Sequence, residues 1–265
     1  MDTILVTGGT GHLGRDLVSI LKDRYQVRVL ARTPGQDPAV QWVTGDLDTG
    51  EGITEAVAGA QVIVHAATFS PAARRGFLLP TDFFRSPPHV DVEGTNRLLE
   101  AAKAADVGHF LYVSIVGVER TRLPYARLKL VAETLVRRSG VPWSIVRATQ
   151  FYWLLDRMLA NMARLPVVPL PTDLALQPAD TEDFAGYLAE CVTEGPGGDR
   201  EDFGGPEVLS LGEIVKQYQD ARGVRRPIRR VRLPKAAARV ADALVCPNGR
   251  RGQTTWSAWL SRQAA

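Results

Sequence analysis

A tyrosine and a lysine stand four residues apart in Tyr125-Ala126-Arg127-Leu128-Lys129, a spacing that puts both side chains on one face of a helix. A phenol beside an ammonium is a proton donor whose conjugate base is stabilised locally, because the positive charge favours the phenolate. Basic positions in this chain are mostly arginine, so a lysine here suits a compact point charge that a planar guanidinium would not replace. Ser114 ends the strand-like run 110–114 just upstream and adds a hydroxyl able to hold a carbonyl oxygen. Hydride transfer to a carbonyl creates an alkoxide that must be protonated, and Ser114, Tyr125 and Lys129 together would supply the acid and its support. The same residues also fit blander roles. A strand-end serine can serve only loop backbone, and a tyrosine–lysine pair can be an ordinary exposed helix face.

A second group of residues says where the hydride would come from. The apolar run Ile4-Leu5-Val6 leads into Thr7-Gly8-Gly9-Thr10-Gly11-His12-Leu13-Gly14, after which Leu17, Ile20 and Leu21 recur at helical spacing. A strand, a glycine-rich turn and a helix in that order make a dinucleotide pyrophosphate site. Glycine allows the tight turn, the approach of phosphate oxygens and close helix–strand packing, and N–H groups at the helix start face the anion. Thr7, Gly8, Thr10, Gly11, His12, Leu13 and Gly14 are therefore the expected cradle. The turn fits two registers, through Gly9, Gly11 and Gly14 or through Gly8, Gly11 and Gly14. Where an NAD-selective site would place Asp or Glu at the end of the second strand, this chain has Arg32, which suits a 2′-phosphate and predicts NADP(H) over NAD(H).

Positioning these groups requires alternating strands and helices. Strand-like runs at 4–7, 27–31, 41–44, 62–66, 110–114 and 144–147 alternate with helical patterns at 13–24, 53–57, 92–105 and 125–139. That alternation predicts an α/β fold, a Rossmann-type doubly wound parallel sheet. Asp106-Val107-Gly108 and Ser139-Gly140-Val141-Pro142 are expected to end the last two helices, each with glycine just past the end. A helix at 181–192 is expected to open with a capping box at Thr181-Glu182-Asp183. The Rossmann domain is read as residues 1–150 with 171–200 returning to it. A small C-terminal α+β substrate lobe is read from 151–170 and 201–265, with an arginine-rich strand near 225–232 and an alanine-rich helix at 235–244. The stretch 69–89, rich in proline and phenylalanine, is long for its place after the fourth strand; it is either a lid over the site or a passive insertion. Phe151, Tyr152, Trp153, Leu155 and Met158 follow the last sheet strand, and of these Phe151 and Trp153, with Phe69, are the candidates to face an apolar or aromatic substrate.

Composition narrows the classes. A chain of 265 residues can bury roughly 70% of its unfolded surface without staples. Cys191 and Cys246 match neither a C-x-x-C pattern nor a metal-ligand spacing, and the four histidines are scattered, so no metal and a reducing, cytoplasmic compartment are expected. The first strand starts within a few residues of Met1 and no apolar run reaches about 18 residues, which predicts neither leader nor membrane span. The net charge is only +3. The arginines at 222–232 alternate with Val224, Ile228, Val231 and Leu233, the pattern of a strand with solvated arginines, and no nucleic-acid motif accompanies them.

The chain resembles the atypical short-chain dehydrogenase/reductases, and specifically the NmrA-like NAD(P)-binding proteins. The resemblance runs through Val6 to Gly14, Gly45-Asp46-Leu47, Asp91-Val92-Glu93-Gly94-Thr95, Tyr112-Val113-Ser114-Ile115-Val116-Gly117, Tyr125 to Glu133, Arg147-Ala148-Thr149-Gln150-Phe151 and Thr255-Trp256-Ser257-Ala258-Trp259-Leu260. It implies that Asp46 hydrogen-bonds the adenine with Leu47 also at the cofactor. It further implies that His65, Ala66 and Ala67 pass beneath the cofactor and that Ala148, Thr149, Gln150 and Phe151 lie near the nicotinamide. Asp91 stands where related extended enzymes more often carry asparagine, and for His65 a core-packing role competes with a chemical one. The activity implied is NADP(H)-dependent reduction or oxidation of a small carbonyl, imine or quinone-like substrate. A regulatory protein that reads the NADP+/NADPH ratio and meets a protein partner through its C-terminal lobe, and a redox-neutral isomerase or epimerase, are the alternatives.

Overall fold

Alternation of inward-facing residues along one strand sets the layering. The computed structural model describes residues 1–68, 88–121, 123–232 and 243–263. In β1 (Thr3–Thr7) every residue is buried, and successive side chains point to opposite faces. Ile4 and Val6 enter one core with Leu17, Leu21, Phe184 and Leu188. Leu5 enters the other with Leu98, Ala132 and Val136. A strand buried on both sides belongs in the middle of a parallel sheet.

Around it stand β2 (Gln26–Ala31), β3 (Gln41–Thr44), β4 (Val62–His65), β5 (His109–Ile115) and β6 (Trp143–Ala148). The connecting helices are α1 (His12–Leu21), α2 (Ile53–Val57), α3 (Thr95–Ala104) and α4 (Pro124–Arg138). The strand order 3-2-1-4-5-6 is parallel throughout, the arrangement in which ligands bind where the order reverses, between β1 and β4. Downstream come α5 (Tyr152–Met162), β7 (Val168–Leu170), β8 (Ala175–Leu176), α6 (Thr181–Glu194), β9 (Gly198–Asp199), β10 (Phe203–Gly204), β11 (Leu209–Ser210), α7 (Leu211–Arg222), β12 (Ile228–Arg230), β13 (Arg250–Arg251) and α8 (Trp256–Arg262). Phe203–Gly204 and Arg250–Arg251, from the stretch expected in the lobe, extend the main sheet beyond β6.

The downstream segments gather a third core, which also takes in Leu176 from the 171–200 stretch. Tyr152, Leu155 and Leu159 of α5 meet Ile214, Val215 and Tyr218 of α7 and Trp256, Trp259 and Leu260 of α8. Two hydrogen bonds tie it together, from Tyr152 Oη to the Thr254 carbonyl (2.8 Å) and from Trp256 Nε1 to the Ile214 carbonyl (3.1 Å). The arginine strand is β12, with Arg229 and Arg230 exposed.

Several local expectations need correction. The stretch before α3 is a π-helical segment, His89–Gly94, rather than the start of an α-helix. The left-handed residue after α3 is Asp106 (φ 51), not Gly108; an aspartate tolerates that conformation better than most side chains. The cap of α6 is Asp180, whose carboxylate accepts from the Glu182 amide (3.3 Å), so Thr181 is already the first helical residue. A reciprocal capping box occurs instead at α7, between Ser210 and Glu213. The proposed insertion lies outside the described residues but for its last two positions, and so does the alanine-rich helix. Among the described residues no helix is long and apolar enough to cross a membrane.

Candidate active site

The glycine turn is built so that no side chain would fit at two of its positions. Gly8 has φ +76, and a Cβ there would fall 2.8 Å from the Ala67 amide nitrogen and 2.9 Å from the Ala66 carbonyl. At Gly14 a Cβ would fall 2.1 Å from the Gly8 carbonyl oxygen. The Gly11 amide donates to that same oxygen at 3.0 Å, closing the turn. Gly11 is the extended N-cap residue of α1 and provides no side-chain cap, so the first amides of the helix are left to an external acceptor.

Beside the turn is a cavity of about 570 Å³, within the range of small-molecule and cofactor sites. Gly8, Thr10, Gly11, His12, Leu13 and Gly14 form one part of its wall. Arg32, Asp46 and Leu47 line it where β2 and β3 end, and Ala66 and Ala67 line it where β4 ends. At the far end are Ser114, Tyr125 and Lys129. Phe151 and Trp153 enter from α5 and the residue before it. The two sets of residues picked out for chemistry thus open on one space. Thr7, Ala148, Thr149 and Gln150 are not in that wall. Thr149 instead donates its hydroxyl to the Gln177 carbonyl at 2.5 Å, and Ala148 is buried beneath. Phe69 lies outside the described residues.

Lys129 is 4% exposed. Its ammonium donates to the Val113 carbonyl at 3.3 Å, lies 3.7 Å from Asp91 Oδ1 and sits 5.0 Å above the Tyr112 ring. Burial works to lower its pKa, and Tyr112, Tyr125 and Asp91 together work against it, raising it above the ordinary lysine value. Asp91 is thereby the carboxylate that faces Lys129, and its Oδ1 also accepts from the Thr68 hydroxyl at 2.5 Å. Tyr112 is a buried neutral phenol, its pKa raised by burial. Ser114 Oγ is buried and makes no hydrogen bond among the described residues.

Two further buried polar groups support this end of the site. The Thr95 hydroxyl donates to the Asp91 carbonyl at 2.8 Å, which leaves its oxygen to accept from His65 Nε2 at 2.9 Å. His65 Nδ1 then accepts from the Thr7 hydroxyl at 2.6 Å. Burial first, and the charge of Lys129 second, lower the His65 pKa to about 3. His65 is a neutral, fully bonded core residue and Thr7 is its partner. One turn beyond Lys129, Glu133 is fully buried and takes two bonds from Arg147, at 2.8 and 2.7 Å, and one from Arg137 at 3.1 Å. Burial raises its pKa, yet Arg147, the nearby Ser114 hydroxyl and Arg137 hold it below the ordinary value, although no bond of good geometry joins it to Ser114. Arg147 is the β6 residue registered against Ser114 of β5. In the sequence Glu133 enters only as the last residue of the segment Tyr125 to Glu133; the contacts of Lys129 to Asp91 and of Glu133 to Arg147 depend on the fold and carry no local signal. Among the described residues no cluster of side chains could hold a metal ion.

A model of the NAD(P)H-binding family matches residues 8–167 of the chain. The chain is 30% identical to the (4-alkanoyl-5-oxo-2,5-dihydrofuran-3-yl)methyl phosphate reductase of Streptomyces griseus, over 90% of this chain and 79% of that one. It is 33% identical to the photosystem II assembly factor Ycf39 of Cyanophora paradoxa, over 57% of this chain. It spans about half the length of the Ycf39 proteins it matches, 46% in Cyanophora paradoxa and 59% in Trieres chinensis. Among solved structures, a short-chain dehydrogenase/reductase superfamily protein from Agrobacterium tumefaciens with bound NAD superposes with a TM-score of 0.72, covering 99% of this chain and 96% of that chain at 22% identity. With a glycine turn that excludes side chains, a 3-2-1-4-5-6 parallel sheet and a matching family model over more than half its length, the chain belongs to the NAD(P)H-binding family and shares the fold of the short-chain dehydrogenase/reductase protein.

Proposed function

We propose that this protein is an NADP(H)-dependent oxidoreductase acting on a small, largely apolar carbonyl, imine or quinone-like substrate. The observation that carries the reading is that Ser114, Tyr125 and Lys129 open on the same cavity as the glycine turn. The cradle at Gly8 and Gly14, which any Cβ would fill, fits the diphosphate of a dinucleotide, with Arg32 and Asp46 at the adenosine end. The nicotinamide, when bound, supplies or accepts the hydride. Tyr125 donates its hydroxyl proton to the substrate oxygen, and Ser114 Oγ–H holds that oxygen. Lys129, one turn along the same helix face, places its positive charge at this end of the cavity and offers its remaining N–H donors to the ribose. Phe151 and Leu154 add apolar, water-excluding surface to the cavity wall, and Trp153 does so where it stacks on His12. Arg32 is exposed at the rim, where a guanidinium can pair with a 2′-phosphate.

The test is oxidation of NADPH against a panel of aldehydes, ketones, imines and quinones. The expected result is turnover of at least one class with NADPH preferred to NADH. Tight NADPH binding with no turnover of any class, together with NADP(H)-dependent association with a protein partner, would replace the enzyme reading with a regulatory one.

A further inference from the structure

One helix of the C-terminal lobe is set directly against the start of α1. The Trp153 ring stacks on His12, the first residue of α1, with ring centroids 4.4 Å apart and planes 13° from parallel. Arg157 stands one helical turn after Trp153 on α5, on the same side of the helix, and both line the cavity. The Arg157 side chain is exposed and makes no ion pair among the described residues. Its charge reaches the glycine turn, for it joins burial and Arg15 in lowering the His12 pKa, against a single opposing carboxylate, Asp16. The other two cations in the wall belong to the cavity's ends. Arg32 follows β2 beside Asp46, and Lys129 lies beneath Val113. The glycine turn comes between them, and Arg157 lines the same cavity one helical turn from the residue stacked on His12.

We propose that Arg157 is a cofactor-binding residue whose guanidinium closes over the dinucleotide diphosphate, facing the α1 amides across it, with the His12–Trp153 stack holding α5 at the right height. The inference rests on the cavity being the dinucleotide site and is independent of which substrate is reduced. It divides the work of two arginines. Arg32 meets a phosphate that only NADP(H) carries, whereas Arg157 meets the diphosphate that NADP(H) and NAD(H) share. The lobe then takes part in holding the cofactor as well as covering the substrate.

The experiment is calorimetric titration of NADPH, NADH, ADP-ribose and adenosine 2′-monophosphate into the wild type, Arg157→Ala and Arg157→Lys at low and high salt. Arg157→Ala is expected to weaken the first three by a common factor of about tenfold, the loss of one charge-assisted contact. Adenosine 2′-monophosphate, which has no diphosphate, is expected to bind unchanged, and Arg157→Lys to recover part of the loss because it keeps the charge. Unchanged affinity for all four ligands overturns the proposal. So does a loss confined to NADPH, or unchanged cofactor affinity with a raised KM for a carbonyl substrate, since these would make Arg157 a reader of the 2′-phosphate or of the substrate. Failure of the wild type to bind NADPH, NADH and ADP-ribose would instead overturn the nucleotide-site reading, and is seen before any variant is made. Arg157 is exposed, and equal melting temperatures of the three proteins show that affinity alone is being read.

Discussion

Lys129 and Glu133 lie one turn apart on the same face of α4, are both buried, and are paired in opposite ways. Glu133 is fully satisfied by a two-bond fork from Arg147 and a third bond from Arg137. Among the described residues Lys129 has one long bond, to the Val113 carbonyl, and a carboxylate at 3.7 Å, beyond hydrogen-bond range. An ammonium has three donors, so the lysine keeps capacity for a ligand, with the Asp91 carboxylate 3.7 Å away. The glutamate keeps none. One buried ionic site anchors α4 to β6 and the other is left loose at the cavity, and the spacing of four makes each depend on the other for position.

The largest effect that tests this division is on turnover. Tyr125→Phe removes one oxygen and keeps the ring, so activity on any substrate found should fall by about 10² to 10⁴, the usual contribution of a positioned acid, with NADPH affinity within a few-fold of wild type. Lys129→Arg should also lose activity, because a planar guanidinium cannot occupy the point site between Val113 and Asp91. Steady-state kinetics with cofactor titration checks both; normal turnover by Tyr125→Phe breaks the assignment of the loose site to chemistry.

The anchoring site should fail differently. Glu133→Ala strands Arg147 and removes a fully buried partner, a change that typically costs about 3 to 5 kcal/mol of stability. Glu133→Gln keeps the shape and should cost less. Urea unfolding measures both. If Glu133→Ala is as stable as wild type, the fork with Arg147 is not what holds α4, and the contrast between the two sites disappears.

Legibility in the sequence followed the range of the interactions. Chemistry carried by consecutive or regularly spaced residues was readable: the glycine turn with its flanking strand and helix, and the four-residue spacing of Tyr125 and Lys129, together with the alternation of strand-like and helical runs that implies a doubly wound parallel sheet. What depended on distant segments was not. Nothing near Lys129 announces that Asp91, 38 positions earlier in the chain, will face it. Likewise the Trp153–His12 stack joins segments that share no motif. Local end chemistry was legible only in part. Asp106 takes the left-handed position expected of Gly108, because both residue types tolerate that conformation and the packing of Val107, which is 2% exposed, decides between them.

A smaller effect sharpens the comparison at the adenosine end of the cavity. If Arg32 is the arginine that reads the 2′-phosphate, Arg32→Ala should lose about 1.5 to 3 kcal/mol of NADPH affinity, roughly 10- to 100-fold, with NADH affinity unchanged. Equal affinities of the wild type for NADPH and NADH, or the same ratio in the variant, would remove Arg32 from cofactor selection.

The smallest effect concerns the polar group beneath Lys129. His65 has a pKa lowered to about 3 in the folded protein by burial first and Lys129 second, against about 6.5 when unfolded. Between those values the unfolded chain binds the extra proton, so the stabilisation is fully present above about pH 6.5 and is lost as pH falls toward 3. From pH 8 to pH 5 this amounts to about 2 kcal/mol. His109, lowered to about 4 by burial and then Arg200, contributes in the same direction and window. His65→Asn, which can still bond Thr7 and Thr95, should therefore unfold with a shallower pH dependence between pH 5 and 6.5, a range chosen because most carboxylates are already ionised there. Urea midpoints across that range measure the slope. A slope identical to wild type would mean that the imidazole is protonated in the folded state. A second cation would then sit beside Lys129, and the loose pairing with Asp91 would no longer suffice to explain how that site is balanced.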